Sequence, residues 1–465
     1  MLDITIICIY FLIIIAVSMR KSSRNVKDMN DFAVARKSFP ISILIFTFLA
    51  TSFGAGSTVG DTSKVYQDGL VFLFGISGFF IFCIMMILFL AKYFDHRFKD
   101  MISSGDIIKY FYGEKAEFVT GILGLIISTF VVAGQIKAIA VFVSHYSGFN
   151  HYYVTIIAGL MVAFYTAIGG IRAVTITDVI QWIVLAIVFP YIVFVVGSKV
   201  GGISQIFVNV PSEQLSILSH PKFYEYLALF IAGCMPFLWM YPPLIQRYLM
   251  ANNYDGIRSM YIAELTVRPL VMALVMILAF SCFTLLPDTE ASDLVPNLLN
   301  EVLGDGFRGL VIAMVLAAGM SSSDSHLNSS AVLVTKHVIA KFFDMHKPKI
   351  QIIVLRTTTV LLAVLAMLMA FSDTEIVDGI IYGFCLWGVG FSIPMFFGLL
   401  RFPTTPYVYW SSLIVGTISF TYSTYIAKLP GLIPPLIAIF SSLIISSLFV
   451  LKKHYSNNYS TFPTN

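Results

Sequence analysis

Residues 316–335 read LAAGMSSSDSHLNSSAVLVT, an apolar helix that carries Ser321, Ser322, Ser323, Asp324, Ser325, Asn328, Ser329 and Ser330 between apolar flanks. At about 100° per residue, Ala318, Ser322, Ser325 and Ser329 share one narrow face, with Ser321 at its edge. Small hydroxyl residues on one face let another helix approach and offer oxygens where bulk water is absent. A hard cation without its hydration shell needs such oxygens, and a nearby carboxylate would offset its charge. Any one of these serines is more simply a packing residue. The dense cluster with Asp324 inside it is harder to dismiss, because carboxylates inside membrane helices are usually functional.

Other polar residues stand inside apolar stretches. Asp178 lies one turn inside the end of such a stretch, in GGIRAVTITDVIQ at 169–181. It reads either as a helix-end residue paired with Arg172 or as a carboxylate on an ion's exit path. Left unpaired it would cost about 3 kcal/mol or less. Glu264 and Arg268 are spaced i, i+4 and can pair on one helix face. Gln135 and Lys137 are the remaining buried polar candidates. Glu264–Arg268 reads first as a structural pair. Alternatively, Arg268 or Lys137 grips a carboxylate on a substrate, since a buried guanidinium without a partner is very costly. Ser325 next to His326 suggests a nucleophile and base, but neighbours at i and i+1 point to different sides of a helix. No oxyanion-hole motif or metal cluster accompanies them, so an enzyme is not expected.

The elements that position these residues are membrane helices. The chain has 465 residues, 58% hydrophobic and only 12% charged, where a soluble domain carries about 25% charge. Its mean hydropathy is +0.87. The net charge of +4 gives no sign of nucleic-acid binding. Cys8, Cys83, Cys234, Cys282 and Cys385 lie in apolar segments without a CxxC and read as core residues, neither disulfides nor metal ligands. The first apolar stretch lacks a basic leader and a small-residue cleavage site, so it reads as a retained helix.

A crossing helix needs about 20 apolar residues. Thirteen stretches qualify: 3–19, 41–62, 70–92, 117–144, 152–169, 174–197, 225–246, 259–285, 307–335, 352–371, 376–400, 407–426 and 431–451, numbered 0 to 12. Basic residues follow stretch 0 (Arg20, Lys21, Arg24, Lys27, Arg36, Lys37), stretch 2 (Lys92, Arg97, Lys99, Lys109, Lys115), stretch 8 (Lys336, Lys341, Lys347, Lys349) and stretch 12 (Lys452, Lys453). With thirteen crossings these loops share one side, which predicts the N-terminus outside and the C-terminus in the cytoplasm. The opposite loop at 286–306 carries Asp288, Glu290, Asp293, Glu301 and Asp305. Loop 93–116 should hold a short surface helix, and loop 198–224 is amphipathic around Ile206 to Leu218.

Two stretches look broken. Stretch 1 contains Phe53-Gly54-Ala55-Gly56-Ser57, with Gly60 following; stretch 6 contains Met235-Pro236 and Tyr241-Pro242-Pro243. Glycine weakens a helix and proline removes a hydrogen bond. A carbonyl freed at membrane depth is tolerated where it lines a cavity or binds something. The breaks lie five stretches apart, so the two run in opposite directions. That predicts an inverted repeat, 41–197 against 225–400, with the ligand site at the breaks. Stretch 0, stretches 11–12 (407–451) and a cytoplasmic tail (452–465) flank the repeats.

Three motifs, GGIRAVTITDVIQ (169–181), IQRYLMANN (245–253) and LAAGMSSSDSHLNSSAVLVTKHV (316–338), resemble the sodium/solute symporter family of proline, sugar, sialic acid, pantothenate and choline transporters. FLATSFGAGSTVGDTSKVYQDGL (48–70) adds support. The resemblance covers stretches 0–12 and implies a fold of LeuT type, an all-α polytopic membrane protein built of two inverted five-helix repeats. It implies a sodium ion held by the carbonyls of Ala50, Phe53 and Ala318 and the hydroxyls of Ser321 and Ser322. Some members hold a second sodium nearer the cytoplasm, at positions matching Asp178, Ser321, Asp324 and Ser325. Asp324 stands where a serine is expected and would strengthen that site or pair with a lysine.

The substrate site would lie beside the breaks. Candidates are Ser57, Gln135, Lys137, Phe237, Tyr241 and Arg268. A quaternary ammonium would need an aromatic cage, for which Phe237, Trp239, Tyr241 and Trp387 are available. The reading is a sodium-coupled symporter that moves a small organic solute into the cell. It sits multi-pass in the bilayer of a cell membrane, a bacterial inner membrane by this reading, with no obligate protein partner. A proton-coupled variant and a transporter-like sensor acting with a partner are the alternatives.

Overall fold

The computed structural model describes residues 2–20, 26–94, 96–251, 253–287, 289–291, 294–304, 306–372, 376–429, 431 and 433–459. Lys21, Arg24, Asp288, Asp293, Asp305 and the end of the tail lie outside the described residues. The regular elements among the described residues are helical. They are α1 (Leu2–Arg20), α2 (Met29–Val34), α3 (Ile41–Ser52), α4 (Asp61–Asp68), α5 (Leu70–Tyr93), α6 (Ser104–Tyr112), α7 (Glu114–Ser147) and α8 (His151–Val200). Then come α9 (Phe223–Cys234), α10 (Pro242–Ala251), α11 (Tyr254–Leu285), α12 (Leu294–Val302), α13 (Phe307–His337), α14 (Pro348–Ala370), α15 (Gly379–Leu399), α16 (Pro406–Thr421) and α17 (Ile433–Tyr459).

Among the described residues nine helices are long and apolar enough to cross a membrane, and a bent pair, Met29–Lys37 with Ile41–Ser52, would make a tenth. Several of the thirteen stretches are joined, bent or interrupted and so do not stand as separate long helices. Stretches 4 and 5 are two helices that meet at a kink at Gly170 (φ 55, ψ −149), so that together they span α8. A Cβ there would meet the Phe32 ring at 2.7 Å, so both backbone angle and space call for glycine. Stretch 6 is interrupted, and stretch 11 gives way after Thr421 to a π-turn at Tyr422–Ile426. The surface helix expected in loop 93–116 is α6, opened by a capping box between Ser103 and Asp106. The loop around Ile206 to Leu218 holds two single turns, Ile203–Ile206 and Ser212–Leu215.

Both expected breaks are present. α3 ends at Phe53 (φ −110, ψ 74), and the chain resumes through a π-turn at Gly56–Gly60 into α4. α9 ends at Met235, whose extended backbone (φ −91, ψ 140) is what the following Pro236 imposes. One turn follows, Pro236–Trp239, and then Pro242 opens α10.

The centre of the molecule is α13. Of its apolar window, 94% is buried, against 39–56% for α7, α8, α11 and α14, so its serines face other helices rather than lipid. It packs on α7, α8, α14, α1 and the end of α3. Small residues set these distances: Gly319 lies against Ile139 of α7, where a Cβ would come within 2.8 Å. All five cysteines are free thiols.

Candidate ion and substrate site

A helix leaves its last four carbonyls without intrahelical donors. The final backbone bond of α3 is from Phe53 N–H to Leu49 O. The carbonyls from Ala50 to Phe53 are therefore freed beside the serine face of α13. Ser321 Oγ lies 2.9 Å from Ala50 O and 3.0 Å from Ala318 O. One hydroxyl proton serves two carbonyls there, which leaves an oxygen-rich point short of hydrogen. Ser322 faces Gly54, since a Cβ on Gly54 would lie 2.6 Å from its Oγ. Phe53 is buried, and its ring leans on Trp182 at 5.4 Å. The five residues expected around a first sodium, Ala50, Phe53, Ala318, Ser321 and Ser322, thus gather where α3 breaks.

The four expected around a second sodium each have a partner among the protein's own groups. Ser321 is turned to the carbonyls above. Asp324 accepts from the Tyr165 hydroxyl at 2.7 Å, in place of the lysine considered for it. Ser325 Oγ and Asp178 Oδ2 are taken by Arg247, whose Nη2 lies 2.7 Å and 3.1 Å from them. Thr47 also donates to Asp178 Oδ2. Arg247 is 0% exposed. Arg172, the partner considered for Asp178, instead pairs with Asp31 at 2.9 Å. Arg247, Thr47, Thr51 and Tyr165 were not singled out from the sequence. Arg247 did stand in IQRYLMANN, as a charge among apolar residues with no acid three or four positions away.

Of the substrate candidates, Gln135 and Lys137 line a cavity of about 420 Å³ that also touches Ala55, Gly56, Phe142 and Ile380. Gln135 Oε1 is buried without a hydrogen-bond partner, 3.6 Å from where a Gly54 Cβ would be. Lys137 Nζ reaches Ser372 O at 3.4 Å. Ser57 and Arg268 line a small neighbouring cavity with Phe53 and Asp61. Arg268 bonds Glu264 Oε1 through Nε at 2.8 Å and Nη2 at 2.5 Å. Its guanidinium lies between the Phe53 and Phe79 rings, 4.6 and 4.4 Å from their centroids. It is a paired and stacked group, as the i, i+4 spacing suggests.

Phe237 and Tyr241 each lie against another ring. Phe237 packs edge-on against Phe396, and Tyr241 stacks on His326 at 5.5 Å. Trp239 meets Phe79, and Trp387 stacks on Phe391. His326 Nδ1 pairs with Ser128 Oγ at 3.1 Å, away from Ser325.

Comparison with known proteins shows the family and the fold. The model of the sodium:solute symporter family matches residues 32–400. High-affinity choline transporter 1 of Drosophila melanogaster is 24% identical over 388 residues, covering 80% of this chain; the chain spans 62% of that relative's length. The structure of a Na+-coupled sialic acid symporter in a substrate-bound outward-open state superposes with a TM-score of 0.84 at 17% identity, over 97% of both chains. A nucleobase-cation-symport-1 family transporter superposes with a TM-score of 0.58 at 15% identity, over 92% of this chain and 96% of that one. The likeness to both structures is one of fold, that of LeuT-type transporters. The family and the structural neighbours are transporters and not enzymes. With most of its length matched, this multi-pass helical membrane chain belongs to the sodium:solute symporter family.

Proposed function

We propose that the chain is a sodium-coupled symporter that carries a small organic solute into the cell by alternating access, with sodium bound between α3 and α13. The observation that carries this reading is the meeting of Ala50 O, Ala318 O and Ser321 Oγ at the broken end of α3. A dehydrated cation there would receive the carbonyls of Ala50, Phe53 and Ala318 and the hydroxyls of Ser321 and Ser322. No carboxylate enters that shell, so the ion keeps its charge for the membrane potential to act on. One charge crossing 100 mV supplies about 2.3 kcal/mol. A tenfold sodium gradient adds about 1.4 kcal/mol. Together they support a several-hundred-fold accumulation of a neutral solute. Residues 41–197 and 225–400 form the two inverted repeats, the chain crosses thirteen times, and the C-terminus faces the cytoplasm.

The solute site in this reading is the cavity beside Gly56, with Lys137 and Gln135 as its polar contacts. An ammonium and an amide in a largely apolar cavity suit a solute bearing a carboxylate. The aromatics that a choline-type cage would use point to different neighbours.

The test is uptake with external sodium replaced by potassium at constant ionic strength. The solute is found first by a thermal-shift screen of organic acids, amino acids, sugars and choline, each with and without sodium. Accumulation should collapse in potassium. Ser321→Ala and Ser322→Ala should each raise the half-saturating sodium concentration about tenfold, the loss of one charge-assisted contact. Undiminished uptake in potassium would end the sodium reading and leave a proton-driven transporter.

A further inference from the structure

One turn along α13 from Ser321, at Ser325, stands a cation that belongs to the chain. The guanidinium of Arg247 is held by residues of three other helices. Nη2 contacts Asp178 Oδ2 of α8 at 3.1 Å, Ser325 Oγ of α13 at 2.7 Å and Thr51 Oγ1 of α3 at 3.3 Å. Nη1 contacts Gln246 Oε1 at 3.3 Å. Thr51, Asp178, Ser325 and Arg247 are all buried. Neighbouring hydroxyls complete the arrangement: Thr47 donates to Asp178 Oδ2, and Thr51 donates to Thr47 O at 2.8 Å.

We infer that Arg247 is a tethered cation filling the inner ion position of this transporter, so that one sodium ion binds per chain. This rests on the sodium reading above and deepens it. The positions matching a second sodium include Asp178 and Ser325, and Arg247 takes one oxygen of each. Ser321 is committed to the first site, and Asp324 is turned to Tyr165. What remains without a hydrogen-bond partner on the two carboxylates is Asp178 Oδ1 and Asp324 Oδ1. Two oxygens do not replace a hydration shell. An ion beside them would also meet the positive charge of the guanidinium. Arg247 therefore works through Asp178 and Ser325 as a positioning residue. It balances a carboxylate that would otherwise draw in an ion, and it ties the cytoplasmic halves of α3, α8 and α13 to α10.

The experiment counts ions on the purified full chain. Equilibrium binding of ²²Na+ should give one sodium per chain in the wild type, with a Hill coefficient near one in sodium-dependent thermal shift. Arg247→Gln frees Asp178, Ser325 and Thr51 from the guanidinium, and it should bind two sodium ions with a Hill coefficient above one. Arg247→Lys keeps a cation there and should stay at one. A merely structural arginine would change stability in these variants without changing the count. Two ions per wild-type chain would overturn the inference with no variant needed, and so would a folded Arg247→Gln protein that still binds one. No saturable sodium binding by the wild type at all would instead overturn the sodium reading.

Discussion

Asp106 shows how a single charge outside the membrane-spanning helices is set by its neighbours. Burial pushes its carboxyl up, but the Lys336 ammonium at 2.6 Å, His337 and the Ile102 N–H outweigh that and hold it below its ordinary 3.8. A carboxyl lowered in the folded state contributes stability that is complete above the unfolded value. That contribution is lost as pH falls through the folded one. Asp106→Asn should therefore cost about 1–2 kcal/mol at neutral pH. It should cost nothing in strong acid, where the two unfolding curves converge; a loss that persisted at low pH would point to capping instead. At this scale the sequence was informative where chemistry was concentrated. The hydroxyl face of α13 could be read because serines crowd one side of an apolar helix, while the choice of Ala318, Ser321 and Ser322 came from the family resemblance. Arg247 could not be placed, because its partners Asp178, Ser325 and Thr51 come from three distant helices and no local spacing announces them. Tyr165 escaped for the same reason, being one aromatic among many until Asp324 is brought to its hydroxyl.

The two breaks are the elements on which the site depends, and both were legible. Glycines in stretch 1 and Pro236 and Pro242 in stretch 6 act locally through backbone geometry, which needs no tertiary partner to be foreseen. Where the breaks lead was less legible: Phe237 and Tyr241 sit beside the second break, yet their rings turn to Phe396 and His326. Gly54 tests the first break. A methyl group there would lie 2.6 Å from Ser322 Oγ, the end of a rotatable side chain. Gly54→Ala should rotate that hydroxyl away, weakening sodium-dependent thermal stabilisation about tenfold in concentration. The melting temperature in potassium should barely move. An equal loss in both salts would mean that Gly54 serves packing alone.

For the whole molecule, the hydropathy pattern was sufficient for a helical membrane fold, because burying twenty apolar residues in lipid depends little on tertiary detail. The number of separate crossings depends on local breaks as well as on hydropathy. One glycine kinks α8 between two stretches, and broken or π-turned segments interrupt others. Orientation rests on basic loops, and labelling can check it. In a cysteine-free background, Glu290→Cys should react with an impermeant maleimide added outside, and Lys347→Cys only after permeabilisation; the reverse pattern would invert the topology. The paired charges inside the bundle have a practical consequence for such work. Asp178–Arg247 is wholly enclosed, and Glu264–Arg268 nearly so, out of reach of the mobile counter-ions that weaken surface pairs. Brine strong enough to loosen the outer rim leaves these internal clasps untouched, so comparing sodium with potassium at one high ionic strength gives the cation's own signature, free of scaffold artefacts.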